Sequence, residues 1–297
     1  MYIVVSVTTV FLFSIRKNFA VKVDLLPILL YNLSVWGKSP AYKQNLNARK
    51  AWFIIMGKTI NVTFWNEFRH EKINDAVKAL YPDGIHAFVK SFLETNEDIK
   101  VTLASLDDPD QGLPEEVLNN TDVLLWWGHM HHHEVDDALV ERIRQRVYVN
   151  GMGFVPLHSA HHSKPFKAII GTTGNLCWGA EVKEFIWNIM PSHPIAAGVP
   201  DHFELETEEI YAEPFQIPAP DEFIFNGWYA SGHVFRSGCC WRRGAGKIFY
   251  FQPGHETCPS FHNPIVQRII TNAVYWAAPA DMGFNYDAGC PYVNPIV

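Results

Sequence analysis

Histidine is unevenly placed along this chain. Of 14 histidines, four fall within His129–His133 and three within His158–His162, and His255 stands beside Glu256. Each group follows a short apolar run that reads as a strand: Val123–Trp127, Gly153–Leu157 and Ile248–Phe251. In an open parallel sheet the carboxyl ends of the strands share one edge, so residues distant in sequence converge there. Three neutral imidazoles with an open position form a common catalytic zinc arrangement. The candidate metal set is therefore His129, His158 and His255, with His132, His133 and His161 in reserve, for zinc or another divalent ion such as manganese, iron or nickel. The spacing contains no H-E-x-x-H helix and no Cys/His knuckle. The alternative reading is plain: His131–His133 form a solvated helix start and His255 hydrogen-bonds within the core.

The stretch Gly153–His161 has the form of a strand entering a tight turn with small residues and then a helix. Such an elbow usually carries Ser or Cys at its tip. Here the tip is His158, a residue suited to metal binding or proton transfer rather than attack on a carbonyl. No cysteine occupies an elbow, which disfavours a thiol nucleophile. Carboxylates close to the same edge are Glu67, Glu71, Glu134 and Glu256. The catalytic candidates are His158, Glu67, His161 and Glu256. Glu67 is preferred as the proton carrier because it lies in the loop after the first strand. Glu134 reads instead as the acidic first turn of a helix. Trp65, Trp127 and Asn66 are candidates to wall a sugar pocket, against the expectation that tryptophans inside strands, Trp126 above all, are buried core.

The elements that must carry these residues alternate. Strands are expected over Ile60–Trp65, Ile99–Ala104, Asp122–Trp127 and at Gly153–Leu157, with helices over Asn74–Leu80, Ile85–Glu94, Leu113–Asn119 and Asp136–Val149 between them. This alternation indicates a parallel sheet with helical crossovers. Pro165–Ile170 reads as a short helix. Gly171–Gly246 is less regular, with strands expected at Trp187–Met190, Phe203–Tyr211, Phe223–Trp228 and Val234–Trp241. A last core strand, Lys247–Phe251, precedes a closing helix over Asn263–Ala277.

Charged residues make up 19% of the 297 and the formal net charge is -7, without a basic block, so no footprint for nucleic acid is present. The five cysteines are odd in number and lack C-x-x-C spacing, which fits a reducing, cytoplasmic location. Residues 1–56 differ in character. Met1–Ile15 is apolar but too short to span a bilayer as a helix, and it lacks the positive segment of a signal peptide. Met56-Gly57-Lys58-Thr59 runs directly into the first strand. The expectation is that Met56 is the natural start and residues 1–55 are upstream sequence, with a membrane-associated segment as the alternative. Residues 57–280 form the α/β domain and 281–297 a tail.

Five blocks, Val62–Glu67, Tyr81–His86, Leu124–Met130, Leu157–His161 and Pro253–Thr257, resemble in order the ThuA-like trehalose-utilisation family. The resemblance covers residues 57–280. It implies a flavodoxin-like open sheet flanked by helices, similar to class I glutamine amidotransferases. In those enzymes a Cys sits at the elbow and a His and Glu follow a late strand. His158 stands at the Cys position, and His255 and Glu256 at the His and Glu positions, which argues against glutamine hydrolysis. Ala160 stands where the family usually has Gly. The resemblance also implies disaccharide catabolism through 3-keto sugars, a functional link to a sugar dehydrogenase, and a homo-oligomer. Joined to the residue reading, it predicts a sugar isomerase, lyase or hydrolase. The competing classes are a sugar-binding or regulatory protein without catalysis, and a true amidotransferase.

Overall fold

A computed structural model describes residues 58–279 of the chain. The expectations for residues 1–56 and for the tail lie outside these residues. The elements run β1 (Ile60–Asn66), α1 (His70–Ile73), α2 (Asp75–Leu80), α3 (Ile85–Leu93), β2 (Ile99–Ser105), α4 (Glu115–Asn119), β3 (Val123–Trp127), α5 (Asp137–Tyr148), β4 (Gly153–Leu157), α6 (Lys164–Ile170), β5 (Cys177–Asn188), β6 (His202–Ala212), β7 (Glu222–Tyr229), β8 (Val234–Arg243), β9 (Gly246–Phe251) and α7 (Pro264–Ala277). Among the described residues no helix is long and apolar enough to cross a membrane.

All nine strands form one sheet, ordered β2-β1-β3-β4-β9-β8-β7-β5-β6. The first five are parallel and follow the flavodoxin-like order. The remaining strands add an antiparallel half through the β8–β9 hairpin, in which Arg243 pairs with Gly246.

The parallel strands are continuous apolar runs because helices cover both faces. Along β3, Val123, Leu125 and Trp127 enter one core, with α3 and α7. Leu124 and Trp126 enter the other, with α5 and α6. The helices are closed by local chemistry. Asn74 caps α2 by accepting from the Ala76 N–H, and Ser163 caps α6 by accepting from Phe166. Gly171, at φ +75°, ends α6 in the left-handed conformation that glycine favours.

Two segments depart from expectation. The loop after β1 contains a single helical turn, α1, which brings His70 toward the site. Of the strand expected at Trp187–Met190, only Trp187 and Asn188 are strand, as the end of the 12-residue β5. Register shifts between Gly179 and Glu181 and between Val182 and Glu184 break its alternation, so the strand does not show period two in sequence.

Trp65 and Trp126 stack at a centroid distance of 3.8 Å on the α5 side of the sheet. Trp126→Ala is expected to cost about 3–5 kcal/mol, the range for emptying a buried aromatic site. A urea unfolding midpoint unchanged from the wild type would contradict this.

Candidate functional site

The carboxyl ends of β1, β3, β4 and β9 deliver Glu67, His129, His158 and the His255–Glu256 pair to one edge. The strand order reverses between β1 and β3, and ligands bind at such a switch point in open α/β sheets. From the antiparallel half, β6 adds Glu208, Glu209 and Tyr211.

Several buried groups hold the loops in place. The Glu67 carboxylate accepts N–H bonds from His129 (2.8 Å), Met130 (3.0 Å) and His131 (2.8 Å). Ser159 Oγ donates to the Gly128 carbonyl at 2.7 Å, tying the β4 elbow to β3. Trp127 Nε1 donates to the Gly254 carbonyl at 3.0 Å. Glu208 accepts from the Gly254 and His255 N–H groups and from the Ser260 hydroxyl. Gly254 sits at φ +134°, and a Cβ there would meet the Phe261 ring at 2.5 Å, so only glycine fits.

The rings of His129, His158 and His255 do converge, with centroid separations of 5.3–6.1 Å. Their nitrogens face different partners. His129 Nδ1 donates to Glu256 Oε1 at 2.9 Å, which leaves Nε2 with a free lone pair. His255 Nδ1 accepts from the Thr257 N–H at 3.4 Å and lies 2.7 Å from Thr257 Oγ1, which donates to Glu181. His255 Nε2 faces Glu256 Oε2 at 3.6 Å and Glu209 Oε2 at 4.0 Å. One ligand atom each from His129, Glu209 and His255 lies within 4.8 Å of the others. His70, His129 and Glu256 form a second such group.

His158 leaves the expected ligand set. Its Nδ1 donates to the Gln252 carbonyl at 2.9 Å. Its Nε2 lies 3.2 Å from Glu209 Oε2 and 3.3 Å from the Tyr211 hydroxyl. Both nitrogens are engaged and the side chain is fully buried. Its backbone, at φ +50°, is left-handed, an uncommon conformation for a residue other than glycine, at the elbow tip. Burial pulls the imidazole down, but the Glu209 hydrogen bond and the charges of Glu208 and Glu209 outweigh it, so its pKa ends above the usual value. Glu209 stands where His158 was expected.

The carboxylates and imidazoles around the cluster are strongly shifted. Burial would raise the Glu256 carboxyl, yet the hydrogen bond from His129 and the fields of His129, His255 and His70 take it down to about 2. Burial, reinforced by His158, lowers His255 to about 4.

A cleft of about 340 Å³ opens beside the cluster, lined by His129, His132, His161, Glu209, Tyr211 and Trp178 among others. His161 Nδ1 donates to the Gly174 carbonyl at 2.6 Å, so Nε2 is its accepting atom. Burial holds this imidazole well below its usual pKa. Burial likewise takes His132 down to about 3. His133 is exposed and lies outside the cluster.

The expected sugar-binding trio is corrected. Trp65, Trp127 and Asn66 are all buried, and none lines the cleft. Trp65 Nε1 donates to the Gln111 carbonyl, and Asn66 Nδ2 donates to Glu71. Strands covered on both faces leave no side chain free for a ligand. Glu71 also accepts from the Ile85 N–H, and Glu134 pairs with His131 and Arg69, so both serve local structure.

Glu208, Glu209, Tyr211 and Trp178 were not anticipated. The available signal was the adjacent pair Glu208–Glu209 inside an otherwise alternating strand, where a buried carboxylate needs a partner.

The parallel order β2-β1-β3-β4-β9, with helices on both faces and a His/Glu cluster at the carboxyl edge, defines a flavodoxin-like open α/β fold whose β4 elbow carries His158. The chain belongs to the ThuA family, described as trehalose utilisation, whose model matches residues 61–277. Membership supports a role of the trehalose-utilisation kind. A ThuA-like protein from Parabacteroides merdae is similar with a TM-score of 0.57 and 14% identity, over 74% of this chain and 90% of that one. A ThuA-like protein from Bacteroides uniformis is similar with a TM-score of 0.52 and 17% identity, over 74% and 91%. A glutamine amidotransferase from Thermotoga maritima gives a TM-score of 0.41 and 11% identity, over 66% and 76%. No curated protein matches the chain in sequence.

Proposed function

We propose that this protein is a metal-dependent enzyme acting on a keto derivative of a disaccharide, moving a proton on the carbon next to the carbonyl. The observation that carries this reading is the group His129, Glu209 and His255, with ligand atoms within 4.8 Å beside the cleft. The donor set suits a divalent cation. One ring nitrogen each of His129 and His255 and an oxygen of Glu209 lie together, with Glu209 Oε2 held from behind by His158 Nε2 at 3.2 Å and the buried Glu256 Oε2 left without a hydrogen-bond partner. A buried carboxylate oxygen left without a donor favours a cation beside it. Two histidines and one carboxylate with open positions suit zinc, manganese or iron.

A bound cation would polarise the sugar carbonyl. The protein's own residues supply the rest. Glu256 orients His129 through Nδ1, in the manner of a carboxylate holding a ligating histidine. His158 orients Glu209 and is a positioning residue, because it is buried behind that carboxylate and does not reach the cleft. His161 is the proton carrier. Its lowered pKa keeps it neutral at pH 7, with Nε2 free to accept. It takes the proton from the hydroxyl-bearing carbon beside the carbonyl, and the C–H electron pair becomes the C=C bond of an enediolate with its charge on the former carbonyl oxygen. The neighbouring hydroxyl's proton moves to that oxygen, and His161 returns its proton to the former carbonyl carbon, which completes an isomerisation. Glu67 is assigned to holding the His129 loop, since three N–H groups already occupy its carboxylate. A dehydrogenase that oxidises a sugar hydroxyl would supply the substrate.

Glutamine hydrolysis finds no support, because the elbow holds His158 and burial pushes the Cys258 thiol far up, away from the reactive thiolate. The test is elemental analysis after incubation with zinc or manganese, paired with turnover of a 3-keto disaccharide. About one ion per chain is expected, lost in His129→Ala together with turnover. Full turnover by thoroughly chelated protein would overturn the reading.

A further inference from the structure

We propose that Trp178 is the stacking platform for the second ring of an unphosphorylated disaccharide, a subsite that rests on the function proposed above. Trp178 lies at the start of β5 and pairs in register with Tyr211 of β6. Cross-strand partners share a sheet face, so the indole continues the wall that Tyr211 forms deeper in the cleft. The indole is 75% exposed. An indole carries one of the largest apolar surfaces of any side chain, and leaving it in water forgoes its burial.

Two other tryptophans of the antiparallel half are partly exposed but have partners within the sheet. Trp187 stacks on His202 at 4.8 Å and Trp228 packs on Phe185 at 5.3 Å. Trp178 has no ring or cation contact of this kind among the described residues, yet it lines the cavity that holds His129, His161 and Glu209. At about 340 Å³ the cavity is at the small end of ligand sites. It suits one sugar ring near the cluster, and the indole extends the site outward for a second. A flat apolar face matches the C–H face of a pyranose. Among the described lining residues none is Lys or Arg, so a phosphorylated sugar would meet no counter-charge beside Glu209.

The experiment is calorimetric titration of the full chain with trehalose, trehalose 6-phosphate and glucose, for the wild type, Trp178→Ala and Trp178→Phe. Trp178→Ala is expected to weaken trehalose binding about tenfold or more, leave glucose binding unchanged and keep the thermal midpoint. Trp178→Phe is expected to recover most of the loss, and trehalose 6-phosphate to bind more weakly than trehalose. Unchanged trehalose affinity in Trp178→Ala overturns the subsite, as does an equal loss on glucose or tighter binding of the phosphorylated sugar. A change of oligomeric state without a change in sugar affinity also overturns it, and assigns the indole to contact with a second copy. If the wild type binds neither trehalose nor glucose, the subsite fails, and the sugar reading fails with it when the 3-keto disaccharide is not turned over either. If trehalose binds independently of Trp178, only the subsite fails.

Discussion

Replacing Glu209 with Ala is expected to lower the affinity for zinc or manganese by more than about 100-fold, whereas His158→Ala is expected to lower it by about 10–100-fold, the range for losing an outer partner of a ligand. The contrast follows from geometry. Glu209 shares a ligand-sized space with His129 and His255. His158 touches that space only through Glu209, at 3.2 Å, while its other nitrogen is spent on the Gln252 carbonyl. Competition titration with a metal indicator separates the two variants. Equal losses would put His158 among the ligands, as its position at the elbow first suggested. No loss in Glu209→Ala would remove the His129–Glu209–His255 group from the function.

Glu184→Gln is expected to stabilise the protein progressively as pH rises. Glu184 is fully buried on β5, accepts one hydrogen bond from Ser237 Oγ at 3.2 Å, and leaves Oε2 unpartnered. Burial, followed by the field of Glu208, holds its pKa well above the usual carboxylate value. A carboxyl raised in the folded state contributes fully below its unfolded pKa, near 4.3, and that contribution is lost as pH rises toward the folded pKa. Between those two values the native state holds one more proton than the unfolded chain. While pH lies between those two values the wild type should therefore lose about 1.4 kcal/mol per pH unit relative to Glu184→Gln. Urea unfolding across that range measures the difference. Parallel stability curves for the two proteins would show that Glu184 is ionised in the fold.

The parallel half of the sheet could be read from residue order because its signals are local. Val123–Trp127 is apolar throughout, as a doubly covered strand must be, and the helices around it show amphipathic spacing and caps. The same locality placed His129, His158, His255 and Glu256 at one edge, since each follows such a strand directly. The antiparallel half was harder. Its strands β6, β7 and β8 were legible, but bulges in β5 removed the alternation that would have revealed that strand, and Trp178 and Glu184 went unread with it.

The sequence by itself determined the fold class, the family, and the edge where the histidines meet. Only the tertiary structure decided their roles. A residue's position after a strand says which edge it reaches, but not which way its nitrogens or oxygens point. That depends on partners far away in the chain. Gln252, 94 residues beyond His158, takes one of its nitrogens. The 128–131 turn, 62 to 64 residues beyond Glu67, takes its carboxylate oxygens. Glu209 enters the cluster because the loop after β9 hydrogen-bonds to Glu208 and Glu209 of β6, a long-range packing result with no local signature.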